Sequence, residues 1–520
     1  MQKKFNVTGL CFPHEHYMAD ISKKLEQTFK MVEAGEYFVI NRPRQYGKTT
    51  ILYSLSDMLQ KTDRYIVLNT SFEGIGDAIF TDEKVFSSGF VSVLARYATA
   101  YAPFLVEWLN KKTAEIDNLE KLSLLITEMM HRSDKKIVLM IDEVDKSSNN
   151  QLFISFLAML RNKYLERHIF KTFYSVVLAG LHDVKSLKLK LRTDDEQKYN
   201  SPWNIASEFT VDMNLFPEEI KPMLDEYARD KKIEMDTPAI ANRLFYYTSG
   251  YPFLVSKLCK IIDERILPEK KEYTWTNKDV EMATQHLIKE NNTNFESLAK
   301  NLENNKDLYQ LVYNVAIEGE RILFNSLDPT INFALLYGIM VNKNGSLAIH
   351  NRVYQEVLID YMTARMQRIQ LSNKVDFGSG YKKPDRSLDM EAILLKFQAF
   401  MREQYSKKDT DFLERNGRLV FLAFLKPIIN CSGYDFKETQ ISEERRLDVV
   451  ITYLQHKYIA ELKIWRGQEA HEEGLSQLVD YLDRLALNEG FLIIFDHSKK
   501  KTWKSNWVTS QGKKVFAVWV

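Results

Sequence analysis

The sequence predicts an α/β protein in two parts: a parallel sheet covered by helices and extended by a helical region, then a smaller α/β domain. Three observations carry this. Short apolar runs recur at 37–40, 65–68, 137–141 and 175–179, separated by longer amphipathic stretches. Strands that alternate with helices build a parallel sheet covered on both faces. From about Phe216 to Arg368 the apolar spacing is helical, with short strand candidates at 273–275 and 347–349. The polar, punctuated stretch 371–389 reads as a linker. The expected divisions are therefore a core at 1–215, a helical lid with a winged-helix-like unit at 216–370, a linker at 371–389 and a last domain at 390–520.

Composition narrows the class. The chain has 520 residues, with 71 basic against 70 acidic side chains. So even a balance gives no global attraction to nucleic acid, and any such binding must come from a local patch. Cys11, Cys259 and Cys431 are far apart in sequence. That argues against a disulfide framework or zinc module and fits a reducing cytoplasm. The start, Met1-Gln2-Lys3-Lys4-Phe5-Asn6, lacks a signal-peptide core. No run approaches the roughly 20 apolar residues of a membrane helix. A soluble, cytoplasmic protein with no membrane partner is expected.

After the strand 37–40 comes Asn41-Arg42-Pro43-Arg44-Gln45-Tyr46-Gly47-Lys48-Thr49-Thr50. Its ending matches a phosphate-binding loop. Gly47 would let the backbone approach phosphates, Lys48 would reach the β- and γ-phosphates, and Thr49 would ligate magnesium. The glycine usual five positions before Gly47 is replaced by Arg42. About ninety residues on, the apolar strand 137–141 ends in Asp142-Glu143. Asp142 would hold the magnesium, directly or through water, and Glu143 would polarise the attacking water. ATP and magnesium are thus the expected cofactors, with Arg44, Gln45, Tyr46, Gly47, Lys48, Thr49, Thr50 and Asp142 as binding residues. Arg42 and Arg44 either clamp phosphates or lie at the surface. His182, just beyond the strand 175–179, is the candidate γ-phosphate sensor, against a solvated loop histidine.

Pro43-Arg44-Gln45-Tyr46-Gly47-Lys48-Thr49 resembles the Pro-Arg-Arg-Phe-Gly-Lys-Ser/Thr loop of the bacterial AAA-ATPase-like family. The first loop glycine is typically absent there, so the resemblance implies that Arg42 does not mark a dead site. His16-Tyr17-Met18-Ala19-Asp20 is similar to that family's Tyr-Val-Asp-Lys segment, with a departure at Ile21-Ser22-Lys23. Ser201-Pro202-Trp203-Asn204 and Ser249-Gly250-Tyr251-Pro252-Phe253-Leu254 look like further landmarks. The second resembles the Gly-x-Pro turn of signal-transduction ATPases, where the lid approaches the nucleotide. The resemblance implies a P-loop NTPase sheet with a helical, winged-helix-like lid. Because such proteins commonly end in a PD-(D/E)XK nuclease domain, it also implies a C-terminal α/β restriction-endonuclease-like domain.

That domain carries a second constellation. Asp448 sits inside the apolar run 447–451, and Glu461-x-Lys463 inside the run 459–463. Charge at this depth is costly unless a metal or substrate pairs it. The connection 452–458 is short enough for a hairpin. Asp448 and Glu461 would be magnesium ligands, and Lys463 would orient or activate water or stabilise charge on the phosphate. Strand alternation equally allows Asp448 to face solvent. Gln477 and Tyr481, four apart, share a helical face. They resemble the Gln-x-x-x-Tyr helix motif of recombination-type PD-(D/E)XK nucleases. Glu414 is the best match to the acid on that fold's first helix, with Glu443 and Glu444 competing for an accessory role. The run 491–495 reads as a central strand. Lys499-Lys500-Lys501 and Lys504, interleaved with Trp503 and Trp507, either track a phosphate backbone or form a solvated loop.

The expected function is an ATP-dependent, metal-dependent nuclease acting on nucleic acid, DNA ahead of RNA. The alternative is an ATPase switch whose C-terminal domain binds nucleic acid or protein without cutting. Homo-oligomer formation stays open, because no arginine finger can be singled out.

Overall fold

The computed structural model describes residues 3–72, 77–144, 151–180, 205–317, 320–370, 381, 383–385, 387–404, 420–422, 424–425, 428, 433–436, 440–442, 445–446, 449–453, 456–465, 468–485, 487–496 and 503–520. The chain divides into two compact units. One comprises 1–298, 332–339 and 350–352; the other comprises 299–331, 340–349 and 353–520.

The first unit is built on β1 (Tyr37–Asn41), β2 (Tyr65–Ser71), β3 (Lys136–Asp142) and β4 (Ser175–Gly180). They form one sheet in the order β1-β4-β3-β2, and every pairing is parallel. A parallel bridge from Phe38 to Ser207 extends the sheet beyond β1. All six residues of β4 are buried, as expected for a strand covered on both faces. The core helices are α1 (Ser22–Glu33), α2 (Lys48–Gln60), α3 (Glu83–Tyr101), α4 (Pro103–Lys112), α5 (Leu119–His131) and α6 (Gln151–Leu165). Asp82 caps α3 by accepting from the Val85 N–H, and Asn118 caps α5 through the Lys121 N–H. α2 starts at Lys48. Gly47 takes the N-cap position at φ 78°, a left-handed conformation that costs glycine nothing.

The lid is α7 (Pro217–Lys231), α8 (Thr237–Thr248), α9 (Pro252–Ile261) and α10 (Asn277–Lys289). A two-residue parallel pair, β5 (Glu234–Met235) and β6 (Thr274–Trp275), ties its halves together. Glu219 caps α7 by accepting from the Phe216 N–H at 2.8 Å and also pairs with Lys24 of α1.

The second unit takes up within α11 (Thr293–Asn304) and continues through α12 (Lys306–Ala316) and the start of α13 (Pro329–Leu336). The antiparallel hairpin of β7 (Met340–Lys343) and β8 (Ser346–Ile349) precedes α14 (Arg352–Gln370). The hairpin turns on Asn344 and Gly345, both at positive φ (51° and 79°), the sequence signature of a tight two-residue turn.

Downstream lie α15 (Met390–Gln404), β9 (Gly433–Phe436), β10 (Gln440–Ser442), β11 (Arg445–Arg446), β12 (Val449–Tyr453), β13 (His456–Ile464), α16 (Gln468–Arg484), β14 (Glu489–Phe495), β15 (Ser505–Ser510) and β16 (Lys513–Trp519). Six of these strands form a mixed sheet in the order β15-β16-β14-β13-β12-β9. β12 runs antiparallel to β9 and β13, whereas β13, β14 and β16 are parallel. β14 occupies the middle, flanked by β13 and β16. One face is covered by α16, whose Leu478, Tyr481 and Leu482 pack with Val450, Ile459 and Leu492. At the end of the expected linker Ser387 and Leu388 are buried, and the Leu388 N–H donates to the Tyr458 hydroxyl at 2.7 Å. Among the described residues, no helix is long and apolar enough to cross a membrane.

Candidate active site

The parallel sheet sets the geometry of the first site. Parallel strands end on the same edge, so the loop after β1 and the acids after β3 meet there. The Thr49 hydroxyl donates to Asp142 Oδ2 at 2.6 Å, and the Glu143 N–H donates to Asp142 Oδ1 at 2.9 Å. Asp142 is buried at 5 % exposure, a depth at which an ionised carboxylate needs such partners. Glu143 follows at φ 57°, left-handed backbone that is uncommon outside glycine and typical of functional sites. Lys48 folds across the loop, its ammonium donating to the Arg42 and Pro43 carbonyls, each at 2.9 Å. No side chain caps α2, which leaves its first N–H groups and dipole facing the loop.

The other loop residues take distinct roles. Arg44 is exposed, and its carbonyl accepts from the Tyr251 hydroxyl at 2.7 Å. Gln45 sits at φ 57°, and its side-chain oxygen accepts from Asn294 Nδ2 at 3.0 Å. Thr50 Oγ1 accepts from the Cys11 N–H at 3.3 Å, tying the N-terminal segment to α2. Tyr46 is turned inward. Its side chain is 4 % exposed, packed edge-on to Tyr251, with its hydroxyl donating to Asn214 and lying 2.9 Å from His350 Nε2. It can therefore contribute only backbone to a phosphate. Arg42 also turns away from any phosphate role. Its guanidinium donates to the Val211 carbonyl at 2.9 Å and stacks over Phe209 at 5.2 Å.

These contacts bind the loop to the strap 205–216 that leads into the lid. Ser207 pairs with β1, Arg42 holds Val211, and Tyr46 holds Asn214. Leu215 is then closed against Gly250, its N–H donating to the Gly250 carbonyl at 2.8 Å. A Cβ on Gly250, which has φ 76°, would meet the Leu215 carbonyl oxygen at 2.4 Å. The 249–254 turn picked out in the sequence thus reaches the phosphate loop through Tyr251.

His350 was not legible in the sequence. Tyr46 has one hydroxyl proton, which goes to Asn214. His350 Nε2 must therefore carry a proton toward the Tyr46 oxygen. Its Nδ1 is then an acceptor for Asn351 Nδ2 at 3.2 Å. A second ring proton would point donor at donor. Burial pushes the imidazole down to about 4, against a smaller opposing pull from Asp212.

Beside the first turn of α2 lies an apolar cavity whose lining includes Met18, Ile21, Met213, Met223 and Pro252, with Gly47 and Thr50 also contributing.

In the second unit the described part of the other constellation is compact. Glu461, on β13, is buried at 1 % exposure. Lys463 lies two residues on, on the same face of the strand, and its ammonium is 3.1 Å from Glu461 Oε1. The same ammonium donates to Gln477 Oε1 of α16 at 2.9 Å. Gly474, one turn earlier, packs on the Lys463 stem: a Cβ there would meet Lys463 Cγ at 3.2 Å. Tyr481, one turn further along α16, is part of the apolar core at 2 % exposure. Lys504 stacks over Trp519 at 4.1 Å, and Trp507 lies on the edge strand β15 with 41 % of its surface exposed. Among the described residues, no group of three metal-capable side chains occurs. Asp448, Glu414, Glu443, Glu444, His182, 201–204 and 499–501 lie outside the described residues.

Residues 15–359 match the family model described as an AAA-like domain. The chain belongs to the AAA-like domain family. The AAA-like part is accordingly a P-loop ATPase domain, with ATP as the nucleotide that such a domain binds. A curated relative, the uncharacterized WD repeat-containing protein slr0143 of Synechocystis sp. (strain ATCC 27184 / PCC 6803 / Kazusa), is 21 % identical over 387 residues. The match covers 70 % of this chain and 31 % of that protein, so the chain spans about a third of the relative's length. Among solved structures, the Walker-type ATPase paby2304 of Pyrococcus abyssi superposes with a TM-score of 0.46 and 9 % identity over 68 % of this chain and 99 % of that one. The ORC2 protein of Aeropyrum pernix gives 0.38 and 12 % over 67 % and 95 %. The RuvB Holliday junction branch migration motor of Thermotoga maritima gives 0.35 and 14 % over 66 % and 95 %.

Proposed function

We propose that this AAA-like ATPase is coupled to a magnesium-dependent nuclease acting on nucleic acid, DNA ahead of RNA. The observation that carries the nuclease reading is Lys463 held between buried Glu461 and Gln477. A carboxylate at 1 % exposure, with one lysine beside it and a helix amide fixing that lysine, is costly as mere structure and apt as chemistry. The mixed sheet supports the reading: an antiparallel β9-β12-β13 meander, then α16, then parallel β14.

In the ATPase unit, the Thr49 hydroxyl and Asp142 carboxylate, 2.6 Å apart, are the groups that would share a magnesium ion on the nucleotide phosphates. The Gly47 turn and the α2 N-terminus receive the phosphates, Lys48 neutralises them, and the apolar cavity by Met18 and Met213 takes the base. Glu143 holds the attacking water. In the second unit, Glu461 would be one magnesium ligand, a hard carboxylate oxygen of the kind magnesium takes. Asp448 is the second ligand proposed from the sequence. A magnesium ion there would polarise the phosphodiester. Lys463 places a positive charge beside the attacked phosphate and orients water toward it, while Gln477 and Gly474 fix the lysine.

The test is cleavage of linear and supercoiled DNA by wild type and Glu461→Ala, each with ATP, with a non-hydrolysable analogue and with no nucleotide. Loss of cutting in Glu461→Ala with ATP turnover retained is expected. Intact DNA after prolonged incubation of wild type with magnesium or manganese would leave the protein as a switch that binds without cutting.

A further inference from the structure

The opposite edge of the ATPase sheet holds a second cavity, of about 600 Å³, framed by the turns that lead into β1, β3 and β4. Its lining includes Lys135, Lys136, Arg167 and Lys171 against one acid, Asp134. Nucleotide chemistry belongs to the C-terminal edge of the strands, where Thr49 and Asp142 meet, so this cavity is not part of that site.

The cations are held in an unusual way. Lys135 pairs with Asp63. The Lys136 ammonium instead lies 3.8 Å over the Tyr174 ring, and the Arg167 guanidinium 3.8 Å over the Tyr164 ring. Among the described residues, neither of these two nor Lys171 forms an ion pair. A ring fixes a cation without cancelling its formal charge, so the positive field at the cavity mouth stays available to an anion. All four basic side chains are exposed. In the same turn as Arg167 and Lys171, Phe170 exposes 53 % of its surface. Fixed cations beside an accessible ring are the elements that hold single-stranded nucleic acid, phosphates on the charges and a base on the ring.

We propose that this cavity binds the phosphodiester backbone of a single strand, independently of the nuclease site. The ATPase unit would then hold nucleic acid itself. The proposal shares its ligand with the nuclease reading but does not need cleavage.

The experiment uses the full chain carrying Glu461→Ala, in EDTA, so that nothing is cut. Binding of a fluorescein-labelled 20-residue oligothymidylate is followed by anisotropy across a salt series. Lys136→Ala/Arg167→Ala/Lys171→Ala should weaken binding at least tenfold and flatten the slope of log K against log salt by about 2, because about 0.7 is lost per phosphate contact on a single strand. The single change Lys171→Glu, at an exposed turn, should weaken it at least threefold. Both variants should retain ATP turnover, which shows that they are folded. Excess inorganic phosphate and a dinucleotide serve as competitors. Displacement by either at micromolar concentration would mark a small-phosphate pocket and overturn the strand assignment. Unchanged affinity and slope in both variants would also overturn it. Failure of wild type to cut DNA while these binding effects hold would sink the nuclease reading alone.

Discussion

Replacing His350 by glutamine should uncouple the phosphate loop from acid. The His350 ring is neutral in the folded protein, taking a hydrogen bond from Asn351 and giving one to Tyr46. Its pKa is lowered from 6.5 to about 4 by burial. The unfolded chain therefore binds a proton at this residue first. The contribution of the neutral ring is fully present above about pH 6.5 and is lost as pH falls toward 4. That gap corresponds to about 3 kcal/mol for this residue, at about 1.4 kcal/mol per pH decade. His350→Gln keeps a side chain that can face both Tyr46 and Asn351 but does not titrate. The assay is thermal melting of both proteins between pH 7.5 and 4, read as the difference in midpoint, so that all other titrating groups cancel. At neutral pH the glutamine variant should melt lower, because its fit is poorer. Toward pH 4 the difference should shrink or invert by on the order of 5 °C, taking about 2 °C per kcal/mol for a unit of this size. ATP affinity should follow the same course, since Tyr46 belongs to the phosphate loop. Parallel pH profiles for the two proteins would refute the argument, because they would mean that the ring carries no depressed pKa.

Other outcomes follow from the same geometry. Lys48→Ala should abolish ATP turnover, whereas Glu143→Gln should retain ATP binding and slow turnover by about 100-fold; equal ATP affinity and turnover in Glu143→Gln and wild type would remove Glu143 from the chemistry. Gly250→Ala should destabilise the first unit by about 2 kcal/mol or more, because its Cβ would press on the Leu215 carbonyl at 2.4 Å with φ at 76°; an unchanged melting profile would contradict this. Gln477→Ala should lower cleavage about tenfold and shift its pH profile, with Gln477→Glu restoring part of it. A structural role alone would leave the profile in place.

How much of this was legible in the sequence depends on the distance between partners. The strands, the Gly47-Lys48-Thr49 turn and the acids after β3 are local patterns, and periodicity finds them. Glu461 and Lys463 were visible because charge inside an apolar strand is itself a signal. Tyr46 lies in the loop motif, and its ring is buried against residues that no window brings near. His350 is 304 positions away, and Asn294, which holds Gln45, is 249 positions away. Nothing in the local sequence around His350 marks it, since a lone histidine before a helix is ordinary. The spacing of Gln477 and Tyr481 marks one helix face, but spacing alone does not say that Gln477 accepts from Lys463.

The stitches between the phosphate loop and the strap have a mechanical consequence. Phe38, Arg42 and Tyr46 fall four residues apart, and they engage Ser207, Val211 and Asn214 in the same order. The two segments are geared, tooth against tooth. The strap ends where α7 begins, and α7 is a 15-residue rod of about 22 Å. The root of that rod is held on its other side by Lys24 of α1, which pairs with Glu219. The phosphate loop and the root of the lid are thus clasped at three points, so neither can be repacked without the other.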